Sequence, residues 1–190
     1  IQPYVSVVSP TSMVKERSDG LRNSGQLPQK RASGLRFLWL TLALIAIDQF
    51  TKQWVIRVFD LYESVAVMPY VNLTYVRNFG AAFSFLSDQG GWQRWLFTIL
   101  AITISVVLVI WLRRNPAGLW RQNLAFSLIL AGAVGNVIDR LIYGYVIDFI
   151  DVYVNQWHWP AFNVADSAIT IGAILMLLEA FFEPRQGAQS

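Results

Sequence analysis

Trp95–Leu112 reads WLFTILAITISVVLVIWL, a run without a formal charge, and it is closed by Arg113, Arg114, Asn115 and Pro116. About 20 apolar residues in a helix match the hydrocarbon thickness of a bilayer, and paired arginines followed by a proline end such a run at the membrane surface. The stretch is a transmembrane helix, and the neighbouring sequence repeats the pattern. A further apolar run extends from about Leu119 to Ile138, another from Phe162 to Phe182, and an earlier one from Leu35 to Phe59, uninterrupted between Phe37 and Ile47. At roughly 20 residues per span, the 190 residues suit one compact all-α bundle of four membrane helices with their connections, and a second domain is not expected.

Composition agrees with this reading. The chain is 55% hydrophobic and 14% charged, with a mean hydropathy of +0.42, whereas soluble domains carry about 25% charged residues. Cysteine is absent and His158 is the single histidine, so thiolate chemistry is excluded and a zinc site lacks ligands. No metal or cofactor is expected. The net charge of +3 does not indicate nucleic acid, because Lys15, Arg17, Arg22, Lys30, Arg31 and Arg36 cluster before the first span. Flanks of that kind set orientation and touch anionic membrane lipid.

Residues 1–33 are polar, rich in Ser, Gly, Pro and basic residues, and lack a periodic apolar face, as expected of a disordered extension. Met13 is a candidate start within it. The basic flank and short apolar run that follow resemble a secretory signal, but Asp48-Gln49-Phe50-Thr51-Lys52 replaces the small residues of a cleavage site, so the segment stays attached as the first span. The membrane domain is expected over 34–185, with a short tail over 186–190. Arg113, Arg114 and Arg121 make the loop after the second span basic, while 141–161 holds no Lys or Arg. Both termini are therefore expected in the cytoplasm, with 60–91 and 141–161 outside.

Val65, Val67, Val71, Leu73 and Tyr75 alternate around Pro69 and predict a small β-hairpin on the outer side. Tyr145 to Trp159 is apolar but interrupted by Asp148 and Asp151, too short and too acidic to span, and is expected to lie along the outer surface. Ala131 with Gly135, and Ala168 with Gly172, let the third and fourth helices approach closely.

Ionisable groups at membrane depth are costly, so Asp48, Asp139, Asp148 and Asp166 are each a site hypothesis. Asp48 has Lys52 one turn away, which favours a structural pair. Asn136, Asp139 and Arg140 fall at i, i+3 and i+4, and Arg140 is expected to compensate Asp139. Asn163, Asp166 and Thr170 share a helical face. Asp148 and Asp166 have no local cation. If they meet, repulsion favours a state in which the pair shares one proton, giving a base for water and an acid for a carbonyl. From spacing alone, two hydrated interfacial carboxylates explain the pattern equally well.

Asn78-Phe79-Gly80-Ala81-Ala82-Phe83-Ser84, Gly135-Asn136-Val137-Ile138-Asp139-Arg140, Val146-Ile147-Asp148-Phe149 and Phe162-Asn163-Val164-Ala165-Asp166-Ser167, together with Asp48-Gln49 and Lys52, resemble the signature of bacterial lipoprotein signal peptidase, signal peptidase II. The similarity covers about Gly34 to Arg185. It implies an intramembrane aspartyl endopeptidase of the bacterial inner membrane, which cleaves signal peptides from prolipoproteins on the N-terminal side of a diacylglyceryl-modified cysteine. The implied catalytic pair is Asp148 and Asp166, supported by Asn78, Asn136, Asp139, Arg140, Asn163 and Asp48. The resemblance also implies an active site near the outer face, an extracytoplasmic β-cradle with a short surface helix, and inhibition by a cyclic peptide of the globomycin type.

Two other classes stay open on the residues alone. Membrane carboxylates also serve proton-coupled carriers, though the chain has no internal repeat and its acids cluster at one face. A non-catalytic scaffold accounts for the small-residue packing but leaves Asp148 and Asp166 unexplained.

Overall fold

The computed structural model describes residues 32–80 and 91–182. The extension expected over 1–33 (save Ala32 and Ser33), the tail over 186–190 and Ala81 to Ser84 of the first motif lie outside these residues. Four helices are long and apolar enough to cross a membrane. A 3-10 turn, Gly34–Phe37, leads into α1 (Leu38–Val58); α2 is Trp92–Arg114, α3 Trp120–Ile142 and α4 Val164–Phe182. Between α1 and α2 lie β1 (Ser64–Met68) and β2 (Val71–Asn78), and between α3 and α4 lie β3 (Val146–Val154) and β4 (Trp157–His158).

α3 is the central helix. In its most apolar window 61% is buried, against 17% in each of the other three, so α1, α2 and α4 turn most of their apolar surface outward, as lipid-facing helices do. Trp39, Leu42, Phe50, Ile99, Leu100, Val106, Ile171 and Leu177 are among the exposed residues. The approach of α3 to α4 depends on glycine. A Cβ on Gly132 would collide with the Ala165 carbonyl, and one on Gly172 would fall 2.7 Å from Ile129 Cγ1. Leu108 and Leu112 of α2 pack on Phe126 and Leu130 of α3 in one apolar cluster. At the same end, Gly34 donates to the Asn115 carbonyl and Ala117 donates to Ala32. Ala32 and Ser33 are thus bonded to the segment that follows α2, Ser33 pairing with Pro116.

The sheet is antiparallel in the order β1-β2-β3-β4. β1 and β2 form the hairpin expected around Pro69, with Val65 opposite Leu73. β2 continues onto β3, pairing Val76 with Asp148 and Asn78 with Val146 after a register shift between Leu73 and Val76. The short surface helix expected within Tyr145 to Trp159 does not form, because this segment is β3 and β4. Val146, Ile147, Ile150, Val152 and Val154 are β-branched and suit a pleated surface, and the strand is paired by β2 on one side and by β4 and Phe162 on the other. The difference is chemically important. In a helix Asp148 and Asp151 would share a face at i, i+3, whereas in a strand they point to opposite faces. Ile147 and Phe149 pack with Val55 of α1 and Tyr75 of β2, and this cluster fixes the sheet to the end of the bundle.

Candidate active site

Asp166 lies in the first turn of α4, and its place there is set by local sequence. Asn163 precedes the helix and accepts the Asp166 amide on Oδ1 (2.9 Å), while Asp166 Oδ2 accepts the Asn163 amide (3.3 Å). This reciprocal arrangement is a capping box, which satisfies amides that an α-helix leaves unpaired at its start. It also orients the Asn163 side chain, leaving its Nδ2 to donate to Asp148 Oδ1 at 2.7 Å. The two carboxylates without a local cation are thus joined through one asparagine, from a strand and a helix start separated by 18 positions in sequence.

Asn78 and Asn136 complete the polar shell. Asn78 Nδ2 donates to Asp148 Oδ2 at 2.9 Å, with its own Oδ1 held by the Gly80 amide. Gly80 has φ +100°, a left-handed conformation, and a Cβ there would meet the Phe97 ring, so glycine is required for that amide to reach Asn78. Asn136 Nδ2 donates to Asp166 Oδ1 at 2.7 Å, and its Oδ1 accepts from Lys52 Nζ at 3.0 Å. Asp148 is 1% exposed. Burial pushes its carboxyl up to about 7, the Asp166 charge adds to the shift, and the bonds from Asn78 and Asn163 and the charge of Lys52 offset it in part.

Below these groups lies a buried ion cluster. Lys52 Nζ is 2.9 Å from Asp48 Oδ2 and 2.9 Å from Asp139 Oδ2, and Gln49 Nε2 donates to Asp139 Oδ1 at 2.9 Å. Each acid also accepts a backbone amide. Asp48 Oδ1 takes that of Ala165 (2.9 Å), and Asp139 Oδ2 takes that of Ile147 (3.1 Å). Ala165 and Ile147 immediately precede Asp166 and Asp148. One lysine on α1 therefore ties together the two carboxylates that hold the chain just before each central aspartate.

The Asp48 to Lys52 pair matches the expectation, but the expected Asp139 to Arg140 pair is replaced. Adjacent helical residues point about 100° apart. Asp139 faces Lys52 and Gln49 of α1, whereas the Arg140 guanidinium lies over the Phe97 ring, 5.6 Å from its centroid, and reaches the Asn136 carbonyl at 3.4 Å. Its buried Nε has no partner among the described residues. Sequence reasoning names Gln49 only as part of a motif and misses its bond to Asp139 and the double role of Lys52, because spacing along one helix reveals local partners only. The available signal was an unpaired surplus: two buried acids and an amide shared one cation.

A cavity of about 710 Å³ opens beside these groups. Its polar lining includes Asp166, Asn78 and Arg140, and Phe97, Trp159 and Ile171 form much of its apolar wall. Asp148 is buried next to it, bonded to the lining Asn78. Thr170 also lines the cavity and donates to the Asp166 carbonyl. Asp151 stands apart on the other face of β3, where it accepts from Asn72 Nδ2 at 2.8 Å and pairs with His158 Nδ1 at 2.9 Å.

Residues 40–182 match the family model described as signal peptidase (SPase) II. A protein named lipoprotein signal peptidase from Shewanella pealeana is 56% identical over 158 residues, covering 83% of this chain and 93% of that protein. The similarly named protein of Shewanella halifaxensis is 58% identical over 149 residues, covering 78% and 88%. Two solved structures of a bacterial membrane enzyme, determined in meso at 2.3 Å and 1.9 Å, superpose with TM-scores of 0.67 and 0.69 at 32% and 34% identity. They cover 81% and 78% of this chain and 94% of each solved chain.

Proposed function

The chain belongs to the signal peptidase II family, and on that premise we propose that it cleaves diacylglyceryl-modified prolipoproteins on the N-terminal side of the lipidated cysteine, with Asp148 and Asp166 as an acid/base pair. The observation that carries this reading is the Asn163 bridge between the two carboxyls beside the cavity. Asp148, pushed up to about 7, holds the proton. Asp166, which accepts from Asn136 and the Asn163 amide, is the base. Asp166 takes a proton from water as its oxygen attacks the scissile carbonyl carbon, and Asp148 gives its proton to the carbonyl oxygen. The tetrahedral diol collapses when Asp166 returns a proton to the amide nitrogen and Asp148 recovers one from a hydroxyl. The C–N bond breaks, leaving the acid end of the signal peptide and the free amine of the modified cysteine.

A transmembrane signal helix must unwind at the scissile bond, and its freed carbonyls need donors in a site that excludes water. Arg140 fits that need, because it lines the cavity and carries several N–H donors. Asn78, Asn136 and Asn163 fix the direction of each catalytic carboxyl, while Asp48 and Asp139, joined through Lys52, hold the backbone beneath them. Membrane lipid and a cyclic peptide of the globomycin type are further ligands for the same cavity.

The basic loop at Arg113 and Arg114 supports an inner-membrane topology with both termini cytoplasmic and the site near the outer face. Reporter fusions at Ser190 and within 60–80 test this, and an externally active Ser190 fusion overturns it. The activity is tested by incubating purified protein with lipidated and unlipidated precursor. Cleavage of the lipidated form alone, at its cysteine, is expected. Equal cleavage of both forms contradicts the reading.

A further inference from the structure

We propose that the Asp151–His158 pair is a positioning clasp: it sets the cavity wall at Trp159 and thereby governs capture of the lipid-modified precursor, an inference that rests on the peptidase reading above. His158 belongs to β4, and the chain after it, Trp159 to Phe162, both lines the cavity and leads directly into Asn163. This wall runs back along β3. The Trp159 amide donates to the Val152 carbonyl at 2.8 Å, and the Phe162 amide to Ile150 at 3.0 Å. Phe162 also accepts the Phe149 and Ile150 amides at 3.0 and 2.8 Å, so that end of the wall is fixed by backbone, whereas at the Trp159 end β4 holds two residues, a short ladder that is marginal on its own.

Side chains add a second constraint at the Trp159 end. His158 Nδ1 lies 2.9 Å and 3.0 Å from the two Asp151 oxygens. Asn72 of β2 donates to the same carboxylate, and the His158 ring stacks on Tyr153 at 5.2 Å and 18°. The contact thus spans β2, β3 and β4. Asp151 is nearly buried while His158 is half exposed, so the acid is an anchor fixed in the sheet and the histidine is the movable arm. Trp159 remains 54% exposed and touches Trp157 edge-on at 5.8 Å. Trp159 lines the cavity together with Phe97 of α2 and Ile171 of α4, and an indole beside membrane-helix side chains offers an apolar surface between interface and bilayer. That surface suits the glyceryl and acyl portion of the modified cysteine.

His158 lies outside the cavity lining and contacts neither carboxyl of the proposed dyad, so its loss should change capture without changing chemistry. In His158→Ala, KM for lipidated precursor should rise about fivefold, the scale expected when one charge-assisted hydrogen bond is lost. kcat should stay within about twofold, as uniform binding predicts, and the variant should keep a cooperative melting transition. Amide exchange at Trp159 should accelerate. His158→Arg should restore both KM and exchange, because a guanidinium can stack on Tyr153 and bond both Asp151 oxygens. An unchanged KM, a fall in kcat without a rise in KM, or failure of the arginine variant to restore capture overturns the inference. Absence of cleavage by the wild-type chain refutes the peptidase reading instead. Exchange at Trp159 needs no substrate and still decides the clasp: acceleration supports it and unchanged exchange overturns it.

Discussion

Asp139 accepts the backbone amide of Ile147 at 3.1 Å, and that contact fixes the start of β3 one residue before Asp148. Asp48 does the same for Ala165 before Asp166, and Lys52 balances both acids. Removing the cation alone leaves two buried carboxylates uncompensated. Lys52→Met should cost about 3–5 kcal/mol and yield little folded protein. Asp139→Asn keeps the 1:1 pair of Lys52 with Asp48 and should cost less, about 1–3 kcal/mol, with lower folded yield and activity. Melting in detergent checks the order, and equal melting temperatures for both variants contradict it.

Asn163 caps α4 with Oδ1 and orients Asp148 with Nδ2. Asn163→Ser retains a capping acceptor but loses the amide donor, whereas Asn163→Ala loses both. The serine variant should melt about 1 kcal/mol above the alanine variant, while both lose most of their turnover. Serine activity near that of wild type shows that the bridge to Asp148 is dispensable.

Gly135 lies against the ion cluster, and a Cβ there would fall 2.7 Å from Asp48 Oδ2. Gly135→Ala should displace Asp48 from the Ala165 amide, lowering kcat by roughly tenfold through misplacement of Asp166. Wild-type kcat in this variant removes the positioning role assigned to Asp48.

Asp148 keeps its proton up to about pH 7 in the folded chain, against an ordinary value of 3.8. From about pH 4 to pH 7 the unfolded chain ionises this group while the folded chain does not. Its contribution to stability is therefore full below about pH 4 and lost as pH rises through about 7. Turnover should fall on the alkaline side with an apparent pKa near 7, as the acid loses its proton. A pH–rate profile rising steadily from pH 6 to 9 contradicts this assignment.

The four spans were legible because long uncharged runs have few alternative readings in water or lipid. The hairpin was legible from alternation around Pro69. β3 was not, since Val146-Ile147-Asp148-Phe149-Ile150 is a short apolar run and its partner β2 lies about 70 positions earlier, beyond any local period. Asp166, Asn163 and Thr170 were correctly grouped by helical spacing. Asp139 was given the wrong cation because Arg140 is adjacent in sequence while Lys52 is adjacent only in space. Asn78 carried no spacing signal at all and was found through resemblance alone.

The central claim is that Asp148 and Asp166 exchange protons with water and substrate. The most direct measurement is single-turnover cleavage of diacylglyceryl-modified precursor, at saturating enzyme so that capture does not limit, by Asp148→Asn and Asp166→Asn, normalised to folded protein, with Asp151→Asn as the control. Asparagine retains the carboxylate's shape but cannot exchange the proton, and apposed amide groups should cost each dyad variant about 1–3 kcal/mol of stability. No detectable cleavage is expected of folded Asp148→Asn or Asp166→Asn, and substantial cleavage of Asp151→Asn, where the native carboxylate contacts Asn72 and His158 instead. Near-wild-type cleavage by either folded dyad variant, or a loss confined to Asp151→Asn, contradicts the claim.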